Sequence, residues 1–200
     1  MSELKRHAPA TLRNRDAILA VLQRIVPDDG VLLEVASGTG EHAAYMTSQL
    51  SGSVRWQPSD GDVDALSSID AHAAGSPRIL PAIHIDVTAL QWPIKKADAL
   101  FCANMIHIAP WQASEGLFAG AGRILSSGAP MILYGPFKRH GAHTAPSNEA
   151  FDVSLKSRDP SWGIRCLDTE VTPLAERNGL SLDEIVEMPA NNLSAVFRRR

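Results

Sequence analysis

Two hundred residues, 44% hydrophobic and 20% charged, suit a single globular domain with a substantial buried core and exclude a fibrous or strongly charged disordered chain. The formal net charge of -3 gives no general attraction to phosphate backbones, so nucleic acid is not an expected partner. Cys102 and Cys166 form neither a metal-ligand spacing nor a disulfide framework, the charged start is no signal peptide, and no apolar run reaches membrane-spanning length; the expected location is a reducing cytoplasm, with no membrane contact.

In chain order, Thr11 to Val26 predicts an amphipathic helix with Ile18, Val21, Leu22 and Ile25 on one face and Pro27 beyond its end. Arg13-Asn-Arg-Asp16 stands in its first turns. Val31-Leu-Leu-Glu-Val35 then has the length and β-branched content of a buried parallel strand. It runs into Ala36-Ser-Gly-Thr-Gly40 and a predicted helix from Glu41 to Leu50. A tight strand-to-helix turn leaves free N–H groups and the positive end of a helix dipole. Glycine is needed there because a Cβ would hold a ligand away from the backbone. These features describe a nucleotide-type cofactor site. Gly38-x-Gly40-x-x-Ala43, with Asp60 about twenty residues on, also fits the dinucleotide fingerprint and would suit NAD. Glu34 argues the other way. A carboxylate in the strand would repel a pyrophosphate, and it suits a cofactor with a positive charge or an amino group needing an acceptor.

Val54 to Asp60 predicts a second strand ending in a carboxylate able to accept from ribose hydroxyls. Asp62 and Asp64 read as acids at the start of the next helix, which carries Val63, Leu66 and Ile69. Pro81 to Asp86 and Ala97 to Asn104 predict the third and fourth strands, Gln112 to Leu125 a helix, and Pro130 to Gly135 a fifth strand. Strands alternating with helices imply a parallel sheet with right-handed crossovers. The rhythm breaks over residues 136–165, a polar stretch in which only Asn148 to Ser157 looks helical, with Ser147 as N-cap. A connection this long reads as a lid-like insertion above the site. His140 and His143 within it lack a supporting Cys or carboxylate cluster, so no metal is expected. Asp168 to Asn178 predicts a helix capped by Gly179. Leu182 to Met188 and Leu193 to Phe197 follow without a helix between them, which makes an antiparallel hairpin.

Glu34-x-x-Ser-Gly-Thr-Gly40 resembles the first motif of class I S-adenosylmethionine (SAM)-dependent methyltransferases, with Ala36 where that family usually has another glycine. Across nearly the whole chain, Arg13–Asp16, Glu34–His42, Asn104–Trp111, Tyr134–Phe137, Ser147-Asn148, Phe151-Asp152, Trp162–Arg165 and Met188–Asn192 resemble a methyltransferase-like family labelled domain of unknown function 938, which includes methyltransferase-like protein 26. The resemblance implies an α/β, Rossmann-like class I methyltransferase fold: a mostly parallel seven-stranded sheet, a C-terminal antiparallel hairpin and helices on both faces. It would form one domain over residues 1–200 with the insertion at about 136–165.

The same resemblance implies SAM as cofactor and S-adenosylhomocysteine as product. The cofactor-binding residues would be Asn14 and Arg15 reaching over the pocket; Glu34, Ala36, Ser37, Gly38, Gly40 and His42 at the methionine end; Asp60 at the ribose; Asp86 and Val87 at the adenine; and Asn104. Facing the acceptor would be His107, Trp111, Tyr134, Phe137, Trp162 and Asn191, with His107 as general base where the acceptor must lose a proton. Asn104-Met-Ile-His107 departs from the Asn-Pro-Pro-Tyr of enzymes that methylate nucleobases or glutamine, so a small-molecule acceptor is expected. A SAM-binding protein without turnover and an NAD(P)-dependent oxidoreductase are the alternative readings.

Overall fold

The apolar runs of the chain become one seven-stranded sheet with helices on both faces. The computed structural model describes residues 4–200. Five parallel strands, β1 (Val31–Val35), β2 (Arg55–Asp60), β3 (Ile83–His84), β4 (Ala99–Ala103) and β5 (Pro130–Gly135), are preceded by or connected through α1 (Pro9–Ile25), α2 (Glu41–Gln49), α3 (Val63–Ala73) and α4 (Trp111–Ile124). A ribbon of β6 (Lys138–Arg139) and β7 (Ala142–His143) leads to α5 (Pro146–Arg158) and then α6 (Thr172–Arg177). β8 (Leu180–Met188) and β9 (Asn192–Arg199) complete the order β3-β2-β1-β4-β5-β9-β8, with β9 antiparallel to both neighbours. The predicted architecture, hairpin included, is therefore present.

The strands of the sheet's centre are apolar at nearly every position because both faces are covered. Leu32, Phe101, Ile132 and Val196 pack with Ile18 and Leu22 of α1 and Met46 of α2. Leu33, Leu100, Met131, Leu133 and Phe197 pack with Leu117 and Phe118 of α4 and Leu174 of α6. The period of two along each strand sends alternate side chains to opposite layers. Glu34 consequently points into the α1–α2 layer, where a charge is least at home.

Three elements depart from the sequence expectation. β3 shrinks to two residues paired with Ser59 and Asp60, since Pro81, at its predicted start, has no N–H to give a ladder. α5 begins at Pro146, whose fixed φ suits the first helical position, so Ala145 rather than Ser147 is the N-cap. The helix predicted from Asp168 is a π turn, Leu167–Val171, running into α6; the Val171 N–H reaches back to the Cys166 carbonyl at 3.0 Å, and Pro173 follows without a donor.

Residues 136–165 are folded rather than loose. Phe137 is fully buried in the core, Leu155 and Ile164 are buried, and Lys138 bridges to Cys166.

The glycine turn after β1 is tied to this packing. Gly40 has φ of 89°, and a Cβ on it would lie 2.6 Å from the Ile69 Cα of α3. Gly40→Ala combines a left-handed backbone with a clash against main chain, and should lower stability by about 2–4 kcal/mol in urea unfolding. An unchanged midpoint would show that α2 and α3 do not need this close approach.

Candidate functional site

The carboxyl ends of β1, β2 and β4 meet beneath the turn Ala36–Gly40. The turn is fixed by backbone bonds to the end of β2: Ser37 N–H donates to the Ser59 carbonyl at 2.9 Å, and Gly38 N–H donates to Asp60 Oδ2 at 2.8 Å. Gly38 has φ of 58° and open space where a Cβ would stand. Ala36 takes the left-handed backbone without being glycine, at φ 59°, as Asn104 does at the end of β4, at 61°. Left-handed non-glycine residues cost about 1–2 kcal/mol each, and their presence at two strand ends around one cleft marks the region as more than a connection.

Glu34 lies below the turn with 1% of its surface exposed. Its Oε2 accepts from Ser37 Oγ at 2.8 Å and from Trp56 Nε1 at 2.9 Å. Burial pushes its pKa up to about 7; the Trp56 and Ser37 bonds pull the other way, and the nearby Asp60 charge adds to the rise. His42 Nδ1 stands 4.0 Å from Glu34 Oε1, beyond hydrogen-bonding distance, while its Nε2 meets Asn14 Oδ1 at 2.9 Å. Burial pushes the His42 pKa down to about 4, so near neutral pH the ring is uncharged. The amide oxygen only accepts, so Nε2 carries the proton and Nδ1 turns a lone pair toward Glu34. Two bonded polar pairs, Asn14–His42 and Glu34–Trp56, thus stand side by side between α1, β1 and β2, with 4.0 Å between His42 and Glu34.

A cleft of about 320 Å³ opens beside these pairs. Val35, Ile85, Val87, Met105 and Ala113 line an apolar slot, with Asp60 and Asp86 at its rim. Asp60 already accepts from Gly38 and, through Oδ1, from the Asp62 N–H at 2.9 Å, and each oxygen keeps a further lone pair. Asp86 is held by the Thr88 hydroxyl and N–H, bonds that keep its carboxyl below the usual carboxylate range. An apolar slot between two carboxyl groups suits a nucleoside: base in the slot, hydroxyls or amino group on the acids. A larger depression of about 560 Å³ lies at the amino ends of the strands, around Gly30, Asp98 and Pro130. Ligands of open α/β sheets sit at the carboxyl ends, so the smaller cleft is the candidate.

The residues expected on the acceptor side divide. His107 was expected to face the substrate as a base; instead it is fully buried, in the turn Met105–His107. Its Nδ1 accepts from the Arg165 N–H at 3.3 Å, its ring packs edge-on to Phe137, and its Nε2 sits against the Cα of Gly135, where a Cβ would be 2.6 Å away. Burial, with the Arg165 charge beside it, pushes the His107 pKa down to about 3. Phe137, also expected at the acceptor, is core. Tyr134 is 5% exposed and neighbours Asn14. Trp111 and Trp162 are partly buried, each below a guanidinium, those of Arg165 and Arg158. Asn191 is exposed and binds α5 instead, accepting from Asn148 Nδ2 at 2.9 Å and donating to Ser147 Oγ. Arg15 lies over the Tyr45 ring of α2 at 4.2 Å.

Several residues that shape the site carry no local signal in the sequence. Trp56 reaches Glu34 only because β1 and β2 pair in this register. Arg165 holds the Met105–His107 turn by donating to the carbonyls of Ile106 and Ala109, at 3.0 and 2.9 Å. Asp152, 4% exposed, accepts from the Ile164 N–H and Lys156 at 2.7 Å each and pairs with Lys138 and His143 at 3.3 Å. Against the rise that burial alone would cause, Lys156, the Ile164 N–H and Lys138 pull its pKa down to about 2. Residues 136–165 are thereby fastened to the turn after β4.

Comparison with solved structures finds the same fold in methyltransferases. The chain matches CalO1, a methyltransferase in calicheamicin biosynthesis in its S-adenosylhomocysteine-bound form, at TM-score 0.73 and 19% identity, covering 92% of this chain and 54% of that one. It matches the mitomycin 7-O-methyltransferase MmcR at TM-score 0.80 and 13% identity, over 96% and 54%. It matches human N-acetylserotonin methyltransferase in complex with SAM at TM-score 0.79 and 13% identity, over 95% and 52%. The chain spans about half the length of these proteins, and at such identities the likeness is one of fold. At the level of sequence, residues 5–199 match the family described as "Protein of unknown function (DUF938)", and with nearly the whole chain inside that match the protein belongs to this family.

Proposed function

We propose that the cleft binds SAM and that the protein is a SAM-dependent methyltransferase acting on a small-molecule acceptor. The observation that carries this reading is Glu34, a buried carboxyl directly under a glycine turn that otherwise resembles a dinucleotide site. A pyrophosphate there would meet a negative charge in low dielectric, whereas an ammonium or sulfonium would be drawn to it. The shared fold of SAM- and S-adenosylhomocysteine-bound methyltransferases and the resemblance of Glu34-x-x-Ser-Gly-Thr-Gly40 to their first motif support the same class.

SAM supplies an already activated methyl group, so the chain's task is to bind, orient and exclude water. Asp60 takes the ribose hydroxyls, the slot from Val35 to Ala113 takes the adenine with Asp86 at its amino group, and the Gly38 backbone leaves room for the methionyl part. Glu34 and His42 set the field at that end. Asn104 and Tyr134 stand toward the acceptor, and residues 136–165 form the wall behind them. No protein base is assigned: His107 is neutral but sealed in the core, so the acceptor is one that needs no proton removed by this residue.

Calorimetry should find SAM or S-adenosylhomocysteine binding and no NAD binding. Asp60→Ala should weaken SAM by roughly ten- to a hundredfold, the cost of losing hydrogen bonds to a charged acceptor at about 1.5–3 kcal/mol. NAD binding without SAM binding would overturn the reading.

The pH dependence follows from Glu34. Its pKa of about 7 in the free protein means that it is partly protonated at neutral pH, and a cationic ligand favours the ionised form. SAM affinity should therefore rise with pH up to about 7, by at most about tenfold per unit, with proton release visible in buffers of different ionisation enthalpy. Glu34→Gln should remove this dependence. For folding the sign is opposite: a raised carboxyl pKa stabilises the fold at low pH and loses that contribution between the unfolded value and about 7. Glu34→Gln should accordingly unfold at higher urea than the parent at pH 8. A pH-independent SAM affinity in the parent would sink the assignment of Glu34.

His107→Ala should act on stability rather than on proton transfer. Emptying a fully buried ring position beside Phe137 should cost about 2–4 kcal/mol and leave the pH profile of any turnover unchanged in shape. Loss of an ionisation from that profile, with stability intact, would restore the histidine as a base.

A further inference from the structure

The segment ahead of α1 crosses the glycine turn and carries a donor set that the cofactor reading does not use. His7, Glu41 and His72 each offer one metal-ligating atom within 4.8 Å of the others. They come from three separate parts of the chain: the approach to α1, the first turn of α2 and the last turn of α3. We propose that these residues form a Zn²⁺ site of two imidazoles and one carboxylate that clips the N-terminal segment over the turn Thr39-Gly40-Glu41.

The surroundings of the three ligands are those of a prepared site. His72 Nε2 lies 2.9 Å from the Arg6 carbonyl, which only accepts, so Nε2 carries the proton and Nδ1 keeps its lone pair. A metal-binding histidine ordinarily has its second nitrogen fixed in this way. Glu41 Oε2 accepts from the Ala8 N–H at 2.7 Å and from Thr39 Oγ1 at 3.0 Å, which orients the carboxylate and leaves Oε1 for the metal. His7 Nδ1 is 2.8 Å from that same Oε1. A divalent ion would take the place of the proton between them, the neutral His7 ring then carrying its proton on Nε2. The imidazole rings of His7 and His72 stand at 90° with centroids 5.3 Å apart.

Tetrahedral zinc with bonds of about 2.0–2.2 Å needs donor separations near about 3.3 Å. His7, whose side chain is 69% exposed, has room to move out from its 2.8 Å contact with Glu41 and to adjust to His72, the three donors lying within 4.8 Å of one another. Two imidazoles with one carboxylate favour zinc over calcium or magnesium, which take oxygen sets. With three protein ligands and one face toward solvent, a water would complete the shell. The clip would hold Arg6 to Ala8 against α2 and α3, immediately beside the Gly38–Gly40 turn, and independently of whether that turn binds SAM.

The test is titration of metal-free, untagged protein with Zn²⁺, by calorimetry against a competing chelator, with Co²⁺ absorption reporting the coordination. One equivalent should bind, and His7→Ala and His72→Ala should each weaken it by about 100-fold or more, above the range for losing a mere supporting contact. His140→Ala, an exposed histidine outside the cluster, should change nothing. Hydrogen exchange at residues 6–8 should slow with Zn²⁺ in the parent and not in His72→Ala. Circular dichroism of the variants separates loss of the ligand from loss of the fold, since His7 is exposed and His72 only partly buried. Sub-stoichiometric binding, or equal affinity in parent and His72→Ala, overturns the proposal.

Discussion

The buried carboxyl of Glu34 is the constraint from which the rest of the site follows. A carboxyl sealed from water is tolerable only if its oxygens are engaged or its charge is suppressed, and here both happen. Trp56 and Ser37 donate to it, and burial brings its ionisation close to neutrality. Those two donors sit on β2 and on the glycine turn. Satisfying one group therefore fixes the register of two strands and the shape of the turn together. Asp60, at the end of the same strand, then holds the Gly38 N–H from the opposite side. The cleft lies between Asp60 and Asp86, each held in place by N–H groups of neighbouring backbone.

The other wall is built by a different device. Residues 136–165 leave the sheet after Gly135, are closed at their far end by the bridge from Lys138 to Cys166, and along the way bury Phe137, Leu155 and Ile164. Asp152 gathers two lysines, a histidine and a backbone N–H from this segment, and Arg165 reaches across to the carbonyls of the turn after β4. Charged groups here replace the apolar stripe that would otherwise be needed to dock a polar helix. The result is a wall anchored at several points, joined by Asn148 and Asn191 to the connection between β8 and β9.

Most of the sheet was legible because its signals are local. Continuous apolar runs, the glycines after β1, and two final strands without an intervening helix are each read within about ten residues, and each corresponds to an element of the structure. The glycine turn and the acids at the ends of β1 and β2 were legible for the same reason. What escaped was decided at long range. Whether His107 meets solvent depends on Phe137, Gly135 and Arg165, all distant in sequence, and a histidine after a strand looks the same whether it is sealed or open. Trp56 and Asp152 were invisible as site-forming residues because their partners come from other elements. The start of α5 failed differently: Ser147 is a good cap by type, but Pro146 beside it fixes the helix start by geometry.

The position of β9 has a consequence for how the molecule comes to exist. It lies between β5 and β8, and it is the last of the seven strands to leave the ribosome. Until it arrives, β5 presents an unpaired row of N–H and C=O groups beside Ile132 and Tyr134, and β8 has no neighbour at all. The half-made chain is thus a parallel sheet with a long apolar margin, the kind of surface that captures a second copy or a chaperone. Antiparallel pairing with β8 through the short connection at Pro189–Asn191 gives β9 a local partner first, so that a preformed two-stranded unit can close the margin in one step. The hairpin is then less an ornament of the finished sheet than the means by which its growing edge is sealed.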